Sequence, residues 1–179
     1  DLSRFLSKNW RTALGCTEPA SIAFAASLAA SQAEGEVRDV SVRCDPRMFK
    51  NCFAVGIPNS GGKTGALWAI AIGCLLPDPS SELECFSLAT EPILREAARL
   101  LEIGVVHIDA LPDKGCLYVD CRVEKTGGTG RVVVEGSHTN VAHIEKDGVC
   151  LLQKSAVEQA SSDDAMAGTV GAGPDRIGR

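Results

Sequence analysis

The chain has 179 residues, a net charge of −5 and acidic and basic residues interspersed along its length. A single domain of about 150 residues buries roughly 68–70% of its unfolded surface, so a self-sufficient core is possible. The charge pattern argues against a nucleic-acid or polyanion partner. No apolar run is long enough to span a bilayer and no signal-peptide start is present, so no membrane partner and a cytoplasmic location are expected. Eight cysteines, at 16, 44, 52, 74, 85, 116, 121 and 150, lack any Cys-x-x-Cys pair, which points to reduced thiols and against a self-contained zinc site. The chain begins at Asp1, and the expectation is that residues were lost or that it is a piece of something longer.

Leu2, Phe5, Leu6, Trp10, Ala13 and Leu14 recur at helical spacing and predict an amphipathic first helix ending at Gly15. Thr17 is placed to cap a second helix, about Glu18 to Ala33, whose alanines and serines permit close approach of another element. Cys16 then sits at a helix N-terminus, where the macrodipole favours a thiolate suited to a metal or an electrophile. Thr90-Glu91-Pro92 repeats the triplet Thr17-Glu18-Pro19, so the triplet alone is a helix-start signal. Only the preceding Gly-Cys asks for a chemical explanation, and a free cysteine is more often a small buried hydrophobe.

Val37, Val40 and Val42 predict a strand ending at Cys44-Asp45-Pro46, and Cys52–Ile57 reads as a second short strand after Phe49-Lys50-Asn51. Pro58-Asn59-Ser60-Gly61-Gly62-Lys63-Thr64-Gly65 is a glycine-rich loop opening onto an apolar helix from Ala66 to Leu76. A P-loop requires glycine where this chain has Ile57, and Gly56 comes one residue early, so a nucleotide site is disfavoured. The loop N–H groups remain able to hold a carboxylate or other small anion, or to form a plain turn. After the break at Pro77–Ser81, Thr90 starts a helix that runs to about Ile103 and stops at Gly104.

From there to position 152 strands are predicted at Val105–Ile108, Leu117–Glu124, Arg131–Glu135 and Ala142–Leu152, with turns at 112–115, 126–130 and 146–148. Short connections among them predict an antiparallel sheet, and the fold class is α+β, helices on a largely antiparallel sheet in one domain over residues 1–154. Residues 155–179 form a low-complexity tail expected to be disordered or loosely helical. Gly136-Ser137-His138-Thr139-Asn140 places polar residues between two strands, either as a site or as a turn held by local side-chain hydrogen bonds.

Taken together, Gly15-Cys16-Thr17-Glu18-Pro19, Lys50-Asn51 with Val55-Gly56-Ile57-Pro58 and the glycine loop, and Gly136–Asn140 followed by Ile144-Glu145 and Gly148 resemble the amino-terminal part of the iron–sulfur L-cysteine desulfidases. That group is similar to the serine dehydratase alpha chains. The resemblance spans about residues 2–152. It implies a lyase that converts L-cysteine to pyruvate, ammonia and sulfide with a four-iron, four-sulfur cluster and no pyridoxal phosphate. It implies Cys16 as one of three cluster ligands, with Thr17, Glu18, Lys50, Asn51, Ser60, Gly61, His138, Thr139 and Asn140 around the substrate.

Relatives in that family are more than twice as long, and their other ligand cysteines lie in a carboxy-terminal half absent here. The other seven cysteines match no ligand position, and Cys116 and Cys121, five apart on a strand pattern, are expected on opposite faces. The expectation is therefore a truncated or excised domain, inactive alone, with no cluster of its own. The alternative is a stand-alone module that binds a small amino acid or anion, or an oligomeric structural protein. A homo-oligomer or a missing carboxy-terminal domain would be the partner.

Overall fold

In the computed structural model, residues 15–154 are described; the helix expected over 2–14 and the tail expected after 154 lie outside them. The alanine-rich segment forms α1, Thr17–Ala30, and eleven of its fourteen residues are buried. A helix buried on nearly all sides has no polar face to show, which is why its sequence lacks an amphipathic stripe. Its small side chains let backbone approach backbone. A Cβ on Gly73 would lie 2.5 Å from the Ala23 carbonyl oxygen, and one on Gly130 would strike the Ala29 carbonyl.

Six strands support this helix: β1 Val37–Cys44, β2 Val106–Ala110, β3 Tyr118–Lys125, β4 Gly128–Glu135, β5 Val141–Lys146 and β6 Val149–Gln153. Their order is β2-β1-β3-β4-β5-β6, parallel between β1 and β2 and antiparallel elsewhere. Val40, Val42, Val119, Cys121, Val123, Val132 and Val134 are buried in the core with the α1 alanines. Alternate residues such as Ser41, Arg43, Arg122 and Arg131 belong to the opposite face, as the period of two requires. The expected α+β class holds: among the described residues, five helical segments lie on a mixed, mostly antiparallel sheet in a single compact body.

Between β1 and β2 lie α2 Pro46–Cys52, α3 Ala66–Gly73, a 3-10 segment Pro79–Leu88 and α4 Glu91–Glu102. This intervening chain lets β2 return parallel to β1, a pairing that no short turn could make. The strand expected over Cys52–Ile57 is not formed. Asp45 instead caps α2, its Oδ1 accepting the N–H of Arg47 at 3.0 Å and of Met48 at 3.1 Å, with Pro46 in the first turn. All that remains of the strand is an isolated bridge between Gly56 and Thr64. The turn expected over 126–130 is shorter too, because β4 already begins at Gly128.

Leu83, Cys85 and Phe86 of the 3-10 segment are buried, and the Cys85 thiol lies 3.7 Å from the Ala20 carbonyl oxygen. In α4, Ala97 and Leu100 are buried, and Gly104, at φ 71°, takes the left-handed turn that ends the helix. Among the described residues no helix is long and apolar enough to cross a membrane.

Candidate functional site

The N-terminus of α1 gathers segments that are distant in the chain. Cys16, not Thr17, occupies the cap position, in extended backbone, and Thr17 is the first helical residue. The half-buried Cys16 thiol donates to Glu18 Oε2 at 2.9 Å, and Thr17 Oγ1 donates to the same oxygen at 3.3 Å. Asn51 Nδ2, from the last turn of α2, donates to Glu18 Oε1 at 3.2 Å. One carboxylate thus ties the Gly-Cys-Thr-Glu-Pro turn to the Lys50-Asn51 motif.

This geometry overturns the expectation of a readily formed thiolate. Burial first, and then the hydrogen bond to Glu18, hold the Cys16 thiol above its ordinary value. The same hydrogen bond, followed by weaker help from Asn51 and Thr17, keeps the Glu18 carboxyl below its ordinary value despite its burial. The helix terminus does favour negative charge, but Glu18 supplies that charge. A soft metal ion arriving at Cys16 would have to displace the thiol proton.

The glycine loop abuts this turn from the other side. A Cβ on Gly15 would come within 2.6 Å of Pro58 Cγ, and Gly15 itself has φ 87°, so glycine is required there twice over. The loop closes on itself: Ser60 Oγ donates to the Ile57 carbonyl at 2.6 Å and accepts the Lys63 N–H at 3.0 Å. Ser60 is buried and its hydroxyl is engaged within the loop, whereas Gly61 and Gly62 are exposed at φ 67° and 86°. Lys63 Nζ lies 4.8 Å from the centre of the Trp68 ring.

One turn along α1, buried Ser21 Oγ donates to the His138 carbonyl at 2.7 Å and anchors the β4–β5 loop to the same helix. Asn140 holds that loop's shape, donating to the Glu135 carbonyl at 2.9 Å and accepting from Lys154 Nζ at 3.0 Å. His138 and Thr139 are half-buried, and Lys50 is exposed on α2. Cys16, Thr17, Glu18 and Asn51 are therefore in direct contact, the glycine loop packs on Gly15, and the His138 segment joins through Ser21. Ser21 was missed from sequence because one serine among many in an alanine-rich helix gives no signal.

Cys52 was missed as a neighbour of Cys16 as well. Its thiol is fully buried, and burial, then the nearby Cys44, Glu18 and Cys16, push it far above the ordinary thiol range. Among the described residues no group of three or more His, Cys, Asp or Glu side chains is placed to hold a metal ion. A cavity of about 640 Å³ opens at the other end of α1, bordered by Ala30, Cys74, Leu76, Arg99 and Lys125, and includes none of these site residues.

The chain is 42% identical over 155 residues to a UPF0597 protein of Geobacter sulfurreducens, covering 87% of this chain and 36% of that one. It is 32% identical over 160 residues to a UPF0597 protein of Kosmotoga olearia, covering 88% and 38% respectively. It is 34% identical over 158 residues to the UPF0597 protein YhaM of Shigella dysenteriae, covering 87% and 36%. No family model and no solved structure matches it. Over most of its length the chain is a homologue of UPF0597 proteins, and it spans little more than a third of the length of these curated relatives.

Proposed function

We propose that the chain is one portion of an iron–sulfur-dependent lyase of the L-cysteine desulfidase kind, and that this portion is not catalytic by itself. The whole reaction would eliminate hydrogen sulfide across the Cα–Cβ bond of L-cysteine, and water would then release ammonia and pyruvate. The observation that supports this reading is the meeting of three separated motifs at the head of α1, with Cys16 at its cap. Such convergence serves a site; a helix-start signal would need only the local triplet.

The residues present fit one corner of a cluster, not the whole of it. Cys16 is a half-buried thiol on a rigid helix end, suited to one iron. Cys44, Cys52, Cys74, Cys85 and Cys121 are buried in the core and Cys116 and Cys150 lie elsewhere, exposed. Further thiolates would have to come from beyond the described residues. The role proposed for this portion is to hold Cys16, with Glu18 fixed by Asn51, and to offer the glycine loop and the His138-Thr139 segment to an amino-acid substrate. The exposed Lys50 would draw its carboxylate.

The test is anaerobic reconstitution with iron and sulfide, alone and with the remaining two-thirds of a UPF0597 relative supplied as a second polypeptide. Expected is no turnover by the chain alone, and sulfide and pyruvate release from the pair that Cys16→Ser abolishes. Turnover by the chain alone would overturn its proposed incompleteness. A colourless, inactive pair that still binds a small amino acid would replace the lyase with a binding module.

A further inference from the structure

On the sheet face opposite the helices, Asp120 of β3 is only 3% exposed, yet it lies among arginines. Its Oδ1 accepts Arg131 Nε at 2.8 Å, and its Oδ2 accepts Arg131 Nη2 at 3.0 Å and Arg43 Nη2 at 2.6 Å. Burial pushes its carboxyl up, but the hydrogen bonds and charges of Arg131 and then Arg43 outweigh this and keep it ionised. A carboxylate saturated in this way fixes two guanidinium groups and leaves their remaining N–H donors unspent.

Arg122 is the residue that this network leaves over. It pairs with Arg131 across β3–β4 and with Ser41 across β3–β1, and it makes no ion pair among the described residues. Like charges directly opposite each other on neighbouring strands destabilise a sheet unless something neutralises them. Glu145 Oε2, on β5, lies 3.8 Å from Arg131 Nη1 and accepts from His143 Nε2 at 3.4 Å when that nitrogen carries the proton. Around Arg122 the face holds Arg43 and Arg131 with the carboxylates of Asp120 and Glu145, and Glu124 follows two residues along β3 with Asp39 opposite it.

Ser41, Arg43, Asp120, Arg122, Arg131 and Glu145 enclose a cavity of about 290 Å³ in which every bordering residue is polar. We infer that this cavity is a site for a small oxyanion of phosphate size, gripped by Arg122 and the unspent N–H groups of Arg43 and Arg131, with the Ser41 hydroxyl as a further donor. The site is separate from Cys16 and does not rest on the lyase proposal.

The probe is inorganic phosphate, titrated into the full chain at constant ionic strength with chloride as the reference salt, and followed by calorimetry and by arginine side-chain NMR. Expected is saturable binding that weakens about tenfold or more in Arg122→Gln, the loss of one charge-assisted donor pair, and is unchanged in Cys16→Ser. Arg122 is exposed, so its replacement leaves the core intact. Arg122→Lys, which keeps the charge without the fork, should fall between the two. Absence of saturable binding, or equal binding by Arg122→Gln, would overturn the site.

Discussion

Replacing Gly73 by alanine sets two physical effects of opposite sign against each other. Gly73 is the last residue of α3 and has ordinary helical backbone, so propensity alone predicts a gain of up to ~1 kcal/mol. The added methyl would, however, lie 2.5 Å from the Ala23 carbonyl oxygen and 2.6 Å from the Ala23 Cα. Carbon contacts need about 3.5 Å, so α1 and α3 must part by roughly 1 Å. The obstacle is backbone, which no rotamer change can relieve. Overpacking of this kind costs about 1–3 kcal/mol and should outweigh the propensity gain. Net of the propensity gain the loss reaches about 2 kcal/mol, which for a chain of this size is a melting temperature lower by up to roughly 8 °C.

The assay is chemical and thermal denaturation of wild type, Gly73→Ala and the control Gly115→Ala, whose Cβ meets nothing within 4 Å. Gly115→Ala should be neutral. Because α1 carries Cys16, Gly73→Ala should also change the rate at which that thiol is alkylated. A Gly73→Ala protein as stable as wild type, or more so, would refute the claim that helix-on-helix backbone contact positions α1.

Asp45→Ala removes the α2 cap and leaves the Tyr118 N–H, 3.0 Å from Asp45 Oδ2, without its acceptor; a loss of roughly 2–4 kcal/mol is expected in urea denaturation. Ser27→Ala should stabilise by about 1 kcal/mol in the same assay, since the Ser27 hydroxyl is buried with no hydrogen-bond partner among the described residues. Glu18→Gln removes the charge and weakens the acceptor that raise the Cys16 thiol, so alkylation of Cys16 at a fixed pH near 8 should quicken, the contribution of burial remaining. Stability should fall as pH rises above the ordinary thiol value of 9.0. Burial raises Cys44, Cys74 and Cys85 to about 12, so the folded state keeps protons that the unfolded state loses, and the melting temperature should decline from pH 9 upward.

The sheet was legible where alternation and glycine turns agree, as in β3 and β4, and α4 was legible from Thr90 to Gly104 because its stripe and both ends coincide. The parallel partnership of β1 and β2 was not, since strand direction depends on what fills the 61 residues between Cys44 and Val106, and no local pattern records it. Asp45-Pro46 carried a helix-start signal, but the apolar run after Asn51 pointed to a strand and masked it. The meeting of the three motifs at the head of α1 was legible from the sequence, and the hydrogen bonding of the thiol there was not. Sequence places Cys16 at a helix end; burial and then the direction of the Glu18 side chain, which raise its thiol, are set by packing that no local pattern records.

The scatter of the cysteines also has a kinetic consequence. Cys116 and Cys150 are exposed, Cys16 is half-buried, and Cys44, Cys52, Cys74, Cys85 and Cys121 are buried, each at a different place: β1, α2, the C-cap of α3, the 3-10 segment and β3. A thiol reagent in native buffer can reach those five only when the segment around each one opens. Their labelling rates, read peptide by peptide by mass spectrometry, therefore time the opening of five places in the fold at once, without any introduced probe. Equal rates at all five would mean that the body opens as one unit; a fast Cys52 beside a slow Cys121 would mean that α2, which carries Asn51 to Glu18, comes away while the sheet stays closed.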